Sequence, residues 1–367
     1  MSNTAKIQRL RDALAHRQPD RIPAGEAFWT GHLKRCRAQW GEDFDPYRAY
    51  DLDYIMIMPN LDPRIQEFEI VSQQGEDIVV RTGFGATIRR SGELPMPHFE
   101  SFLVNRVEEM ADFGFDAPDD PRRFFQAGDD QLNCVGDALS RNIPSWDDRL
   151  KPYQDDFAIF GGVCEPYEYL WRIIGSENAL MWMGLYPDKL AAFIDRIGEW
   201  MVGALRAQIA AGAGRLSGMY IYGDVAYRNA MLFSPKTWRE MLKPHVKALI
   251  DACHENDLMV VYHGCGCATA IFDDLVELGL DAYNPLEVKA GLDVVELKKQ
   301  YAGKLAFVGN IDVRVLERGD PEEIRQEVRY KAQAGVGGGW VFQSDHSISS
   351  DVSPESYKLA IETLRSL

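Results

Sequence analysis

Residues 260–267 read Val-Val-Tyr-His-Gly-Cys-Gly-Cys, an apolar run that ends in a histidine and two cysteines. The β-branched and aromatic residues that open this stretch favour a buried strand. Side chains two positions apart leave an extended chain on the same side, so His263 and Cys265 can converge on one point. A converging imidazole and thiolate are typical of either a soft-metal site, with zinc as the first candidate, or an activated nucleophile.

Similar apolar runs recur along the chain and alternate with helical patterns. We predict strands at residues 21–29, 54–58, 157–163, 218–222, 259–263, 280–284, 305–308 and 339–342. The intervening helices include residues 187–211 and residues 235–255, the second with Ser234 as its N-cap and Pro235 at its first position. This alternation predicts a single α/β domain over residues 1–367, folded as a (β/α)8 TIM barrel.

One segment interrupts the alternation of strands and helices. Residues 68–72, 77–82 and 87–90 are short strand patterns joined by glycine-containing turns, with no helical pattern between them. They predict an antiparallel meander inserted after the second barrel strand, within an insertion of about residues 62–120. Residues 96–120 are rich in proline, phenylalanine and acidic residues, and we expect them to wrap the barrel before a helix near residues 121–142.

The composition narrows the class of partner. The chain has 40 Lys and Arg against 56 Asp and Glu, a net charge of −16, which argues against binding nucleic acid or an anionic membrane. A small-molecule substrate is the better expectation. The sequence shows neither a membrane-length apolar run nor a secretion signal, and its six cysteines are too few for a disulfide framework. We therefore expect a cytoplasmic protein whose cysteines are thiols.

Polar side chains follow six of the predicted strands in succession. Because catalytic groups of barrel enzymes lie where strands end and the following loops begin, these side chains are expected to face one mouth. In chain order they include Glu165, Asp224, His263 and Cys265, Asn284, Asn310 and Asp312, and Ser344, Asp345 and His346.

The residue types leave some roles open. Asp224 and Glu165 suit proton transfer, but carboxylates at strand ends also orient loops by accepting backbone N–H bonds. Asn310 is a candidate catalytic residue or a turn-shaping one. His346, beside Asp345, suits acid–base or ligand use. The candidate substrate-binding residues are Trp29, Tyr167, Tyr222 and Asn284. The aromatic ones would give a flat-walled pocket for an aryl methyl ether or a quaternary amine.

The C-terminal part of the chain resembles a known superfamily. The residues that carry the resemblance are His263-Gly264-Cys265-Gly266, Val-Gly-Asn-Ile-Asp at 308–312, and Gly-Gly-Gly-Trp-Val-Phe-Gln-Ser-Asp-His-Ser-Ile at 337–348. Together they are similar to the uroporphyrinogen decarboxylase superfamily, from about the third strand onward. This superfamily contains porphyrin decarboxylases and corrinoid-linked methyltransferases that use zinc. The resemblance implies a (β/α)8 barrel with its active site in the mouth.

The chain departs from the decarboxylase pattern near its first strand. Those enzymes carry an Arg-Gln-Ala-Gly-Arg motif that grips the substrate's carboxylates, whereas residues 27–32 here read Ala-Phe-Trp-Thr-Gly-His. A tetrapyrrole with several carboxylates needs cationic partners, so a chain of net charge −16 without this clamp suits it poorly.

The methyltransferase branch is the better match at His263-Gly264-Cys265. Its His-x-Cys zinc motif corresponds to His263 and Cys265, but the second cysteine that it supplies after the eighth strand is absent here. We expect His346 as the third ligand with Glu165 as its rival, and Cys164, Asp224 or Cys267 as further alternatives.

The resemblance implies a methyltransferase or demethylase component that uses a zinc-activated nucleophile. It would transfer a methyl group between a small substrate or cofactor, such as a tetrahydrofolate-type acceptor, and a corrinoid (cobalamin) carried by a partner protein. Asp224, Glu165, His346 and Asn310 are its expected catalytic residues. The alternative is a metal-free lyase, similar to the decarboxylases, that acts on a small carboxylated substrate. A homodimer remains open as its assembly.

Overall fold

The structure is a computed structural model that describes residues 3–65, 69–75, 77–91, 94–128 and 142–367. Its strands are β1 Tyr54–Met56, β2 Glu69–Gln74, β3 Asp77–Arg81, β4 Thr87–Ser91, β5 Leu94–Ser101, β6 Ala158–Cys164, β7 Leu216–Tyr222, β8 Met259–His263, β9 Ala282–Asn284, β10 Ala306–Val308 and β11 Trp340–Val341.

Helices lie between these strands and after the last one. They are α1 Asn3–Leu14, α2 Thr30–Trp40, α3 Pro46–Ala49, α4 Arg122–Phe125, α5 Trp146–Leu150, α6 Pro166–Ile174, α7 Ser176–Leu185, α8 Pro187–Gly212, α9 Pro235–Met241, α10 Lys243–His254, α11 Phe272–Glu277, α12 Val294–Gln300, α13 Val313–Arg318, α14 Pro321–Ala332 and α15 Pro354–Arg365. Short 3-10 helices cover Val107–Asp112, Thr269–Ile271, Val288–Ala290 and Gln333–Gly335. Within the described ranges, no helix has both the length and the apolar character needed to cross a membrane.

The central element is a curled, seven-stranded parallel sheet in the order β1-β6-β7-β8-β9-β10-β11. Alternate strand residues, among them Tyr54, Tyr220 and Val308, pack together with Leu10 and Leu14 of α1. Helix α1 therefore closes the end of the sheet at which the strands begin. The predicted α/β barrel is confirmed as a barrel-like fold, whose open end is the one at which the strands finish.

The first predicted strand, residues 21–29, does not form a regular ladder. It makes two isolated parallel bridges, Ala24 to Phe342 and Phe28 to Ile348. The backbone N–H of Asp53, just before β1, donates to the Ala24 carbonyl at 2.7 Å, so this segment hydrogen-bonds both edges of the sheet. Pro23 has no N–H to add to a ladder, which explains why the segment is interrupted.

A separate antiparallel sheet in the order β2-β3-β4-β5 lies between β1 and β6 in the sequence. Three of its strands agree with the predicted meander, apart from residue 68, which lies outside the described residues. The fourth, β5, falls where we expected an irregular wrapping segment. Its two prolines, Pro95 and Pro97, argue against a central strand but are tolerated because β5 pairs on one side only. The helix predicted near residues 121–142 is seen only as α4, and residues 129–141 lie outside the described residues.

The helix predictions fail at one proline. Helix α8 agrees with the prediction to within one residue, and the Ser234 hydroxyl caps α9 by accepting the Thr237 N–H at 3.0 Å. The predicted helix at 235–255, however, is divided into α9 and α10 at Leu242. Pro244 causes this break, because its ring lacks an N–H and crowds the preceding turn.

Candidate functional site

Three potential metal ligands converge at the open end of the barrel. One ligand atom each from Asp224, His263 and Cys265 lies within 4.8 Å of the other two. The Cys265 Sγ is 3.7 Å from the His263 Nε2, which is 3.9 Å from the Asp224 Oδ1. In the described part of the chain, this is the only group of three His, Cys, Asp or Glu side chains that is close enough to hold one ion.

The parallel sheet brings the three residues together. His263 ends β8, where it is in register with Tyr222 of β7 and Asn284 of β9. Asp224 follows β7 by two residues, and its Oδ1 accepts the backbone N–H of Cys265 at 2.9 Å. This contact joins the loops after β7 and β8, so the carboxylate and the thiol lie side by side.

The turn at Gly266 keeps Cys265 in this position. Gly266 has φ +79°, and an added Cβ would lie 2.6 Å from the Tyr227 carbonyl oxygen, so only glycine fits without strain. Its N–H donates to the Glu287 Oε2 at 3.1 Å, and the other Glu287 oxygen is 3.0 Å from the Lys289 ammonium. The same turn directs the chain away from the site, since the Cys267 thiol contacts the Thr269 hydroxyl at 3.5 Å.

The surroundings of Cys265 disfavour a thiolate without a nearby cation. Burial, the Asp224 carboxylate and the Glu287 carboxylate all raise the pKa of its thiol, and Lys289 only partly opposes them. A bound divalent cation would reverse this balance, because it attracts both the thiolate and the carboxylate.

The donor set fits zinc. Tetrahedral zinc with bonds of about 2.0–2.3 Å places neighbouring ligand atoms roughly 3.3–3.8 Å apart. The separations of 3.7 Å and 3.9 Å are close to this range. Sulfur, imidazole nitrogen and carboxylate oxygen are all established zinc donors, and three protein ligands leave one position for a reactant. The residues present could therefore hold a catalytic zinc.

The two preferred third ligands of the sequence analysis lie outside this cluster. The carboxylate of Glu165 is fully buried, and its Oε2 accepts a hydrogen bond from the Tyr262 hydroxyl at 3.0 Å. Burial is the main cause that raises the pKa of Glu165 to about 8, and the nearby Glu168 carboxylate acts in the same direction. Glu165 is therefore protonated at neutral pH, which makes it a poor metal ligand and a possible proton donor.

His346 lies at the same end of the barrel, with its ring 6.0 Å from that of Trp29. Its Nδ1 is 3.4 Å from the Ser347 carbonyl oxygen. Burial and the Lys289 ammonium lower its pKa, so the imidazole is neutral near pH 7. The third position of the cluster that His346 was expected to fill is occupied by Asp224, because the Cys265 N–H holds that carboxylate in place.

Asn310 and Asp345 are engaged in loop contacts. The Asn310 amide donates to the carbonyls of Leu286 and Leu292 and accepts from the Val294 N–H and the Lys331 ammonium. Its φ of +79° is typical of a turn. The Asp345 carboxylate accepts the N–H groups of two neighbouring loops at 2.9 Å, and burial raises its pKa to about 6. The contacts of Asn310 agree with the turn-shaping alternative.

Of the four predicted substrate-binding residues, two border the open end of the barrel and two are buried. The Tyr222 ring lies 4.9 Å from the His263 imidazole, and Trp29 lies beside His346, so both border the open end. Tyr167 is buried and packs on Phe233 at 4.9 Å. Asn284 is buried behind His263, and its Oδ1 is 2.6 Å from the His263 Nδ1.

A buried carboxyl group that the sequence analysis missed is Glu26. Its two oxygens contact the N–H and the hydroxyl of Ser344 at 3.1 and 2.8 Å, and burial raises its pKa to about 8. The Ser344 hydroxyl also contacts the His346 carbonyl, and its single proton cannot serve both acceptors. A protonated Glu26 that donates to Ser344 resolves this conflict. The available signal was one acidic residue within the apolar run of residues 22–29.

Comparison with known proteins agrees with this architecture. The family model described as "Uroporphyrinogen decarboxylase (URO-D)" matches residues 90–367. The uroporphyrinogen decarboxylase of Chlorobium limicola is 26% identical over 246 residues, 65% of this chain and 66% of the relative. That of Pseudoalteromonas translucida is 28% identical over 179 residues, 46% of each chain. The aligned region thus spans about half to two thirds of the length of these curated relatives.

Two solved structures have a similar fold. A methyltransferase from Methanosarcina mazei gives a TM-score of 0.68 at 17% identity, with 98% of both chains covered. A B12-independent methionine synthase from Shewanella sp. W3-18-1 gives 0.50 at 9% identity, with 95% of this chain and 93% of that chain covered. Similarity at these identities concerns the fold. Because the family match extends over more than half of the sequence, the chain belongs to the uroporphyrinogen decarboxylase family.

Proposed function

We propose that this protein is the substrate-side component of a zinc-dependent methyltransferase or demethylase whose corrinoid is carried by a partner protein. The observation that carries the proposal is the convergence of Asp224, His263 and Cys265 within 4.8 Å. In this proposal Asp224 replaces His346 as the third ligand. When bound there, zinc would act as a Lewis acid on the oxygen or nitrogen atom from which the corrinoid takes the methyl group, and the phenolate or amine that departs would take a proton from water.

The side chains around the cluster have separate tasks in this proposal. Tyr222 and Trp29 form aromatic walls that suit the methyl-bearing part of an aryl ether or a methylated amine. His346, neutral at pH 7, borders the same space without adding a positive charge that would repel a methylated amine. Glu165 stays protonated and fixes the loop at Gly223, where an added Cβ would lie 2.6 Å from the Glu165 Cγ.

The charge at the open end favours this substrate class over a porphyrin. The carboxylates of Asp224, Glu287 and Asp345 lie in the loops around the site, and the nearby ammonium of Lys289 is already paired with Glu287 at 3.0 Å. A polyanionic tetrapyrrole would meet electrostatic repulsion here. A neutral or cationic methyl donor would not.

A second candidate function is a lyase that acts on a small carboxylated substrate without metal. It is favoured by the names of the curated relatives, which are uroporphyrinogen decarboxylases at 24–28% identity. Glu165, with its pKa of about 8, could protonate the carbanion that loss of CO₂ leaves behind.

Zinc dependence of turnover separates the two candidates. Protein purified without a histidine tag would be incubated with free cob(I)alamin and an aryl methyl ether or a methylated amine, and methylcobalamin followed by its absorbance. We expect methyl transfer that stops on chelation, returns with zinc and is lost in Cys265→Ser. Cys267→Ser is the matched control, because its thiol points away from the cluster. CO₂ release from a small carboxylated substrate by zinc-free protein, with no methyl transfer from the ether or the amine under any condition, would overturn the proposal.

A further inference from the structure

A chain of buried polar side chains runs through the barrel behind His263. The His263 Nδ1 is 2.6 Å from the Asn284 Oδ1, and the Asn284 Nδ2 is 3.4 Å from the Gln343 Oε1. The same Gln343 oxygen accepts the Tyr54 hydroxyl at 2.7 Å, and the Tyr220 hydroxyl is a further 2.7 Å from that of Tyr54. The chain connects side chains of β8, β9, β1 and β7, and of Gln343 just after β11, across the barrel interior.

The direction of each hydrogen bond follows from its partners. The Asn284 Nδ2 lies 3.0 Å from the Val308 carbonyl oxygen, which can only accept. The amide NH₂ must therefore face Val308 and Gln343, and the amide oxygen must face His263. An amide oxygen only accepts, so the His263 Nδ1 carries the proton. The His263 Nε2 is left with its lone pair.

That lone pair belongs to the nitrogen on the side of the proposed metal ligands. The Nε2 is 3.7 Å from the Cys265 Sγ and 3.9 Å from the Asp224 Oδ1. Metal-binding histidines commonly donate their other N–H to a fixed acceptor, which sets both the tautomer and the ring orientation. The contact between the His263 Nδ1 and the Asn284 Oδ1 has this geometry.

We infer that Asn284 is a positioning residue, which fixes His263 as its Nδ1–H tautomer and aims the Nε2 lone pair at Cys265 and Asp224. This replaces the substrate-binding role expected from the sequence, since the Asn284 side chain is 1% exposed. The functional meaning of the inference rests on the proposed zinc site. The tautomer, however, is a property of the protein without metal.

Gln343 and the two tyrosines hold the amide in this orientation. All three are buried, at 8% exposure or less. Because the Tyr54 hydroxyl donates to the Gln343 oxygen, the Tyr220 hydroxyl must donate to Tyr54. The Asn284 amide donates to the same Gln343 oxygen from the other side, so both halves of the chain end on this acceptor. In an interior of low dielectric constant, a flipped amide would leave a donor and an acceptor unsatisfied. This cost keeps Asn284 from rotating.

Nitrogen-15 NMR of the histidine ring tests the inference in metal-free protein, with the His263 signals assigned by their loss in His263→Gln. We expect a protonated Nδ1 and an unprotonated Nε2 in the native chain. In Asn284→Leu the preference should be lost and the zinc affinity should fall by about 10–100-fold. Asn284→Asp keeps an acceptor at the same place and should retain the Nδ1–H tautomer.

The outcomes separate this inference from the proposed function. An Nε2–H tautomer in the native protein would overturn the inference, and this spectrum decides even if Asn284→Leu does not fold. A folded Asn284→Leu with an unchanged tautomer would also overturn it. If the tautomer depends on Asn284 but zinc does not bind, the positioning role stands and the metal site falls.

Discussion

The two ends of the barrel differ in how the charge of their carboxylates is compensated. Before β1, the fully buried Asp53 contacts the guanidinium groups of Arg9 and Arg21 and accepts the Ala24 N–H at 2.8 Å. Beyond β7, the Asp224 side chain is 46% exposed, and its carboxylate lies 3.9 Å from the His263 imidazole. Charge at the first end is neutralised by the protein itself. At the second end the proposed zinc ion would neutralise it.

Two further carboxyl groups, those of Glu26 and Glu165, also distinguish the open end from the closed end. Glu26 and Glu165 lie toward the open end, where burial raises the pKa of each to about 8, so protons rather than arginines neutralise them. This is the arrangement expected of a barrel whose closed end provides stability and whose open end provides chemistry.

The largest effect on folding is expected at the closed end. Asp53→Asn removes one charge of a buried ion pair and leaves Arg9 and Arg21 undercompensated, so the free energy of unfolding should fall by about 3–5 kcal/mol. Urea denaturation measures this loss. The zinc content of the folded protein should not change. A folded Asp53→Asn that loses zinc but keeps its stability would contradict the assignment of Asp53 to the fold rather than to the metal site.

The next effect concerns the pH dependence of stability at Glu26. The folded pKa of about 8 lies above the unfolded value of about 4.3. The stability that the protonated group contributes is full below pH ~4.3 and is lost as the pH rises toward ~8. Glu26→Gln mimics the protonated form and removes this dependence.

Thermal or urea unfolding at several pH values checks this expectation. The stability difference between the native chain and Glu26→Gln should shift in favour of the variant by about 2–4 kcal/mol between pH 5 and 8. A difference that does not change with pH would show that Glu26 is charged in the folded state.

A smaller effect on the fold is expected for Asp224→Asn at the open end. An amide is a weaker metal ligand than a carboxylate, so zinc affinity should fall by about 10–100-fold, measured by competition with a chromophoric chelator. The free energy of unfolding without metal should change by less than about 1 kcal/mol. A large loss of stability would mean that Asp224 serves the fold, as Asp53 does.

The smallest effect is expected for Asp20→Asn at the closed end. Asp20 bonds Arg9 at 2.6 Å, but its side chain is 64% exposed and Arg9 keeps its contact with Asp53. We expect a cost of at most about 1 kcal/mol in chemical denaturation. A cost as large as that of Asp53→Asn would mean that exposure does not weaken the pair.

The sequence was informative where the physics is local. The two-residue spacing of His263 and Cys265 depends only on strand geometry, and the structure brings both to one point. The strand–helix alternation likewise predicted a parallel, barrel-like sheet, in which seven of the eight predicted strands form a ladder. Local rules also identified Ser234 as a helix cap.

The sequence was less informative where a contact joins distant segments. Asp224 was ranked as a fallback ligand because its bond to the Cys265 N–H spans 41 residues and leaves no spacing pattern. Glu26 likewise has a hydrogen-bond partner, Ser344, that is 318 residues away. Pro23 and Pro244 changed elements that the apolar pattern alone had extended through them.

The central claim is that Asp224, His263 and Cys265 form one zinc site. X-ray absorption at the zinc edge of tag-free, zinc-loaded protein tests it most directly. We predict one sulfur at about 2.3 Å and nitrogen and oxygen ligands at about 2.0–2.2 Å, with the sulfur lost in Cys265→Ser and retained in Cys267→Ser. A zinc bound without sulfur, or one whose sulfur persists in Cys265→Ser, would contradict the claim.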